Sequence, residues 1–200
     1  MNHFHGVRFY GSIESMASTA AVFSATAFLA DESALVIARP GHRAAIERAF
    51  RSISFSVAAL KASERLHVLD AEATLRSLLV RAHPDPVSFE TVLGEALRRL
   101  KRRDQQRVRV YDGMADLLEE QGDHRAGLRL EALWDGLAVH GTCSVLCGHS
   151  LDNIPNGSAT AASICACHTH VIAPDGRPHP MSRLAAAVAV QRPNDSPSIH

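Results

Sequence analysis

Residues 34–38 read Ala-Leu-Val-Ile-Ala, preceded by Asp31-Glu32-Ser33 and followed by Arg39-Pro40-Gly41. Five apolar residues in a row, with no polar alternation, are the pattern of a strand covered on both faces of a parallel sheet. Working outward, shorter runs of the same kind occur at Val7–Tyr10, Leu66–Leu69, Val108–Tyr111 and Cys143–Cys147. Segments of helical period lie between them. Ile13, Met16, Ala20, Phe23 and Ala27 mark one stripe, with Ser12 at the N-cap position. Phe89, Val92, Leu93, Ala96, Leu97 and Leu100 mark a second, with Arg98, Arg99, Lys101 and Arg102 on its wet side. Ala126, Leu130, Leu133, Trp134 and Leu137 mark a third, which Asp123 can cap, while Gly122 can close a preceding helix over Met114–Gln121. Strands alternating with helices predict βαβ units: an α/β three-layer sandwich with a mostly parallel central sheet.

The 200 residues suffice for one such domain with a substantial core, expected over 1–172. From 173 onward, breakers (PDGRPHP), a short RLAAAVAV run and QRPNDSPSIH read as a partly disordered tail. Acidic and basic residues number 21 each, so no overall field draws the chain to nucleic acid or an anionic membrane. No segment reaches the roughly 20 apolar residues that span a bilayer, and the N-terminus lacks a secretory pattern. The expected compartment is the cytoplasm, where the four cysteines are thiols.

In open α/β sheets, ligands bind beyond the carboxyl ends of the strands. Those ends carry Tyr10 and Ser12, Arg39 and His42, Asp70, Tyr111 and Asp112, and His149. Together they predict a polar and aromatic rim over an apolar floor, suited to a small organic molecule, although loops make most strand ends polar. Nucleotide hydrolysis would require a glycine-rich turn ending in Gly-Lys-Ser/Thr. The turn here is Tyr10-Gly11-Ser12-Ile13-Glu14-Ser15, without lysine, and neither Lys61 nor Lys101 follows a glycine. A G-x-S-x-G elbow and a G-x-G-x-x-G fingerprint are also missing, so no catalytic residue and no cofactor is expected.

Cysteine and histidine cluster in Cys143-x3-Cys147, His149 and Cys165-Ala-Cys167-His168-Thr-His170. These are zinc-ligand types, but the spacing lacks paired C-x2-C knuckles, and buried cysteine is an ordinary small hydrophobe. No metal is therefore expected, and a metal or redox role stays a minor alternative. Trp134 sits at core spacing on its helix, which favours packing over ligand stacking.

The ordered blocks His5-x3-Phe9-Tyr10, FLADESALVIARPGHRAAI, RLHVLDAEATL, RVRVYDGMADLLEEQGD, LRLEALWDGL, CSVLCGHS and the closing ICACHTHVI carry a resemblance. From about His5 to Ile172 the chain resembles the MEDS domain, the methanogen/methylotroph sensory domain first associated with the regulator of dichloromethane dehalogenase. The resemblance implies a RecA/KaiC-like fold without a functional phosphate loop, and sensing of small hydrocarbon derivatives rather than catalysis. Carried across, it implies ligand-binding positions at His5, Tyr10, Asp70, Arg109, Tyr111, Glu131, Trp134, Cys147 and His168, the last in a closing helix. Two departures stand out. Asp112-Gly113-Met114 replaces the family's Gly-Glu-Met, and Glu119 stands where a tryptophan is common.

With no kinase or helix-turn-helix segment in these residues, output is expected through a signalling partner: a histidine kinase, response regulator or anti-sigma component. A homodimer is a further possibility. A ligand-independent interaction module is the alternative.

Overall fold

The computed structural model describes residues 3–101, 106–154 and 159–172. The expected tail from 173, its RLAAAVAV run and Arg102 lie outside the described residues.

The chain alternates as expected. Strand β1 (His5–Tyr10) leads to α1 (Ile13–Leu29), β2 (Ser33–Ala38), α2 (Pro40–Ser52), α3 (Val57–Ala62) and β3 (Leu66–Asp70). After α4 (Ala71–Leu78) comes a small antiparallel pair, β4 (Leu79–Val80) with β5 (His83–Pro84). Then follow α5 (Pro86–Phe89), a π-helical turn (Glu90–Gly94), α6 (Glu95–Leu100), β6 (Val108–Asp112), α7 (Met114–Glu120) and α8 (His124–Val139). Strand β7 (Cys143–Ser150), a 3-10 turn (Leu151–Asn153), α9 (Ala159–Ala166) and β8 (His170–Ile172) complete the described fold.

Six strands form one parallel sheet in the order β3-β2-β6-β7-β1-β8. Strand alternation sends successive side chains to opposite faces. Leu35, Ile37, Val110, Val145 and Cys147 therefore pack with Leu130 and Trp134 of α8. Ala34, Val36, Tyr111 and Leu146 pack instead with Met16, Ala17 and Ala20 of α1. ALVIA is buried throughout because it lies inside the sheet, between β3 and β6, with helices on both faces. This is the three-layer α/β sandwich that the sequence predicts.

Local chemistry sets the boundaries. Ser12 caps α1 by accepting from the Ser15 amide at 3.2 Å, and Asp123 caps α8 by accepting from Ala126 at 3.0 Å. Such caps contribute about 1 kcal/mol each. Gly122, at φ +76°, closes α7 in the left-handed conformation that glycine adopts freely. The single stripe expected over Phe89–Leu100 is three helical pieces, through which Phe89, Leu93, Leu97 and Leu100 stay buried. Gly148 answers a close approach, since a Cβ there would run into the Tyr111 hydroxyl. Among the described residues, no helix is long and apolar enough to cross a membrane.

Candidate functional site

At the carboxyl ends of β1, β2 and β7 lies a cavity of about 310 Å³, lined mainly by Tyr10, Ser12, Arg39, His42, Asp116 and Asn153. Its organiser is Asp116, in the first turn of α7 and almost wholly buried. The Tyr10 hydroxyl donates to Asp116 Oδ2 at 2.7 Å, and Arg39 donates to the same oxygen at 3.1 Å. The Ser150 amide and Asn153 Nδ2 donate to Oδ1 at 2.8 and 2.9 Å. One carboxylate thus ties together the ends of three strands and the 3-10 turn. Arg39 also reaches Glu120 at 2.7 Å.

The electrostatics follow from burial and these neighbours. Burial and the Asp116 charge hold the Tyr10 phenol protonated, far above its ordinary value. Burial works against the Arg39 charge, yet Asp116 and Glu120 outweigh it and raise its pKa. Burial, then the Arg39 charge, lowers His42 and keeps its ring neutral. Since one arginine, Arg39, stands between Asp116 and Glu120 and pairs with both, the lining disfavours an anion. It includes no lysine, and the Ser12 hydroxyl accepts from the Ser15 amide, so it offers no phosphate cradle.

On the α8 side of the sheet, a second polar group is wholly enclosed. Glu131 of α8, His5 of β1, Cys147 and His149 of β7, and His168 after α9 are all buried. Glu131 Oε1 accepts from His149 Nε2 at 2.8 Å. Around Oε2 stand His5 Nε2 at 3.2 Å, His168 Nε2 at 3.2 Å and the Cys147 thiol at 3.0 Å. The donor atoms of His5, Glu131, Cys147 and His168 all lie within 4.8 Å of one another, close enough to surround a single cation. Glu131 is buried, which opposes its charge, but the surrounding histidines pull its pKa well below the usual carboxylate range. Burial and the Glu131 charge push the Cys147 thiol up. His149 joins the two sites: its ring holds Glu131, and the next residue's amide holds Asp116.

The nine positions implied by the resemblance therefore divide instead of forming one pocket. His5, Glu131, Cys147 and His168 meet in the buried cluster. Tyr10 is the member that lines the cavity. Trp134 lies in the core, its Nε1–H donating to Asp112 Oδ2 at 2.9 Å and its ring edge-on to Phe89. Tyr111 is also buried, pressed on Gly148 by way of its hydroxyl. Asp70 caps α4 through the Ala73 amide at 2.8 Å, and Arg109 faces Glu32 at 3.6 Å beside the Phe23 ring.

Three sequence expectations need correction. Of the strand-end rim, Asp70, Tyr111, Asp112 and His149 do not line the cavity, because alternation turns the last three into the core. The cavity lining is polar more than apolar, with Arg39, Asp116 and Asn153 among its residues. His168 stands after the closing helix, its Nδ1 at 2.6 Å from the Ile164 carbonyl. Asp116 itself escaped the sequence reading. Its signal is an acid set among Met114, Ala115, Leu117 and Leu118, on a helix start that directly follows a strand. The acid of the Asp112-Gly113-Met114 departure serves inside the core, accepting from the Met114 amide at 3.1 Å as well as from Trp134.

A parallel α/β domain with a polar cavity at its strand ends defines the general class. Within it, residues 4–169 match the family described as MEDS: MEthanogen/methylotroph, DcmR Sensory domain. The chain belongs to this family of sensory domains and has a sensory or signalling role. No curated protein matches it.

Proposed function

We propose that the chain senses a small, uncharged hydrocarbon derivative bearing a hydroxyl or carbonyl group, bound in the strand-end cavity. The observation that carries this reading is the convergence of Tyr10, Arg39, Ser150 and Asn153 on the buried Asp116. A hydroxyl entering there can exchange hydrogen bonds with Arg39 and His42, while the excess of acids rejects carboxylates. Because Asp116 links α7, the Arg39 loop and the turn after β7, a ligand that re-pairs Arg39 favours one arrangement of these loops. The result is a population shift rather than turnover. The altered loop surface is then read, in the cytoplasm, by a signalling protein such as a kinase, response regulator or anti-sigma component. The RecA-like ancestry implied by the resemblance agrees with a strand-to-helix turn, Tyr10–Ser12, that forms part of the cavity wall.

A thermal-shift screen tests this with short-chain alcohols, aldehydes, ketones, carboxylates and haloalkanes. The expected result is stabilisation by neutral oxygenated compounds and none by the matching carboxylates. Stabilisation by carboxylates alone, or by nothing in the panel, refutes it.

A further inference from the structure

We propose that His5, Glu131, Cys147 and His168 form a four-coordinate site for a divalent transition metal of borderline softness, zinc foremost. The inference stands apart from the ligand reading, since none of these residues lines the strand-end cavity.

The distances suit it. A tetrahedral zinc ion with bonds of 2.0–2.3 Å sets its ligand atoms about 3.3–3.8 Å apart. Here Cys147 Sγ lies 3.5 Å from His5 Nε2 and 3.0 Å from Glu131 Oε2, Oε2 lies 3.2 Å from both His5 Nε2 and His168 Nε2, and all four atoms lie within 4.8 Å of one another. A small outward relaxation around an ion brings these to the expected edges. The donor set is also right: one thiolate, one carboxylate and two imidazoles fit zinc, cobalt or nickel better than magnesium or calcium. With a divalent ion the four ligands sum to a neutral site, which a fully buried position favours.

Hydrogen bonding alone accounts for the cluster less well. Three groups crowd the single oxygen Oε2, and His168 Nε2 is buried with no hydrogen-bond partner. Its other nitrogen faces the Ile164 carbonyl at 2.6 Å, which fixes the proton on Nδ1 and leaves Nε2 with a free lone pair 3.2 Å from Glu131 Oε2. A metal supplies the partner that this lone pair lacks. The outer contacts follow the same logic. His168 Nδ1 is backed by the Ile164 carbonyl, and His149 fixes the second oxygen of Glu131. Carbonyl backing of this kind raises the basicity of a metal-binding histidine and sets its ring orientation.

No metal-binding spacing motif announces the site, because its ligands come from β1, α8, β7 and the segment after α9; the family resemblance marks the four residues as ligand positions without pointing to a metal. Cys143 and Cys165, which sequence proximity groups with Cys147 and His168, pack into apolar clusters instead.

The test is titration of the chelator-stripped full chain with Co²⁺ and Zn²⁺. One equivalent of Co²⁺ should bind with the visible bands of a tetrahedral site and a thiolate-to-cobalt charge-transfer band, and Zn²⁺ should displace it. Cys147→Ser should abolish the charge-transfer band, and His168→Gln, removing a direct ligand, should weaken binding by more than the roughly 100-fold that loss of an outer partner can cost. Cys143→Ala and Cys165→Ser should leave both unchanged. Uptake without a charge-transfer band in the wild-type chain overturns the assignment whether or not the variants fold. So does binding well below one equivalent, or a band that survives Cys147→Ser.

Discussion

Replacing Asp112 by asparagine is expected to change how the stability of the domain depends on pH. Asp112 ends β6 with no exposed surface, and its two oxygens accept from the Met114 amide and the Trp134 indole. Burial, reinforced by the Glu131 charge, pushes its carboxyl from the ordinary 3.8 up to about 7. The folded chain therefore keeps a proton that the unfolded chain releases. Between about pH 4 and pH 7 the native state binds more protons, and stability falls as pH rises. At about 1.4 kcal/mol per pH unit, this carboxyl lowers stability by about 4 kcal/mol across the whole window. Asparagine keeps an acceptor for the indole and carries no charge. Urea unfolding at about pH 5 and about pH 8 should then show the Asp112→Asn chain gaining about 3 kcal/mol on the wild type between the two conditions. The single tryptophan supplies a second readout. Its indole touches the titrating carboxyl, so emission from the folded wild type should change with a midpoint near 7. Parallel stability profiles for the two chains, together with emission constant from about pH 5 to pH 8, would refute the reasoning.

Gly148→Ala should lower stability by about 1–3 kcal/mol, because the new methyl meets the Tyr111 hydroxyl, and adding Tyr111→Phe should restore part of the loss. Thermal unfolding of the two variants and the double variant checks this. Ser12→Ala should cost about 1 kcal/mol by removing the cap of α1, read as a shift in urea midpoint with unchanged slope. Asp116→Ala strips a buried carboxylate from four donors and should cost about 3 kcal/mol, while abolishing any response to compounds that stabilise the wild type. Equilibrium unfolding with and without such a compound measures both effects.

The framework of the fold was legible because its information is local. Five of the six sheet strands announce themselves as short apolar runs, and helix ends are marked within four residues by the side-chain caps Ser12 and Asp123 and by Gly122, which takes the left-handed backbone freely. The sixth strand, His170–Ile172, is three residues long at the edge of the sheet, too short for a period to register. The site was legible only in pieces. Tyr10, Ser12, Arg39 and His42 follow from the strand-end rule, but Asp116 is polar on a helix face that otherwise reads as core. Glu131 is named by the family resemblance, but patterning alone hides it for the same reason, among Leu130, Leu133 and Trp134. Two of its histidine partners, His5 and His168, come from the two ends of the described chain, and the parallel pairing of β1 with both β7 and β8 brings them to it. Glu119 shows a tertiary accommodation of the same kind. It is buried, paired with His124, and occupies space that a side chain on Gly127 would fill.

The most direct test of the sensory account is isothermal titration of the wild-type and Arg39→Ala chains with the neutral oxygenated compound that stabilises the wild type best. The account predicts one-to-one binding to the wild type and binding to Arg39→Ala weaker by roughly ten-fold or more, the share expected of a lost charged hydrogen bond. Equal affinity for both chains would place the ligand elsewhere and contradict the assignment of the strand-end cavity.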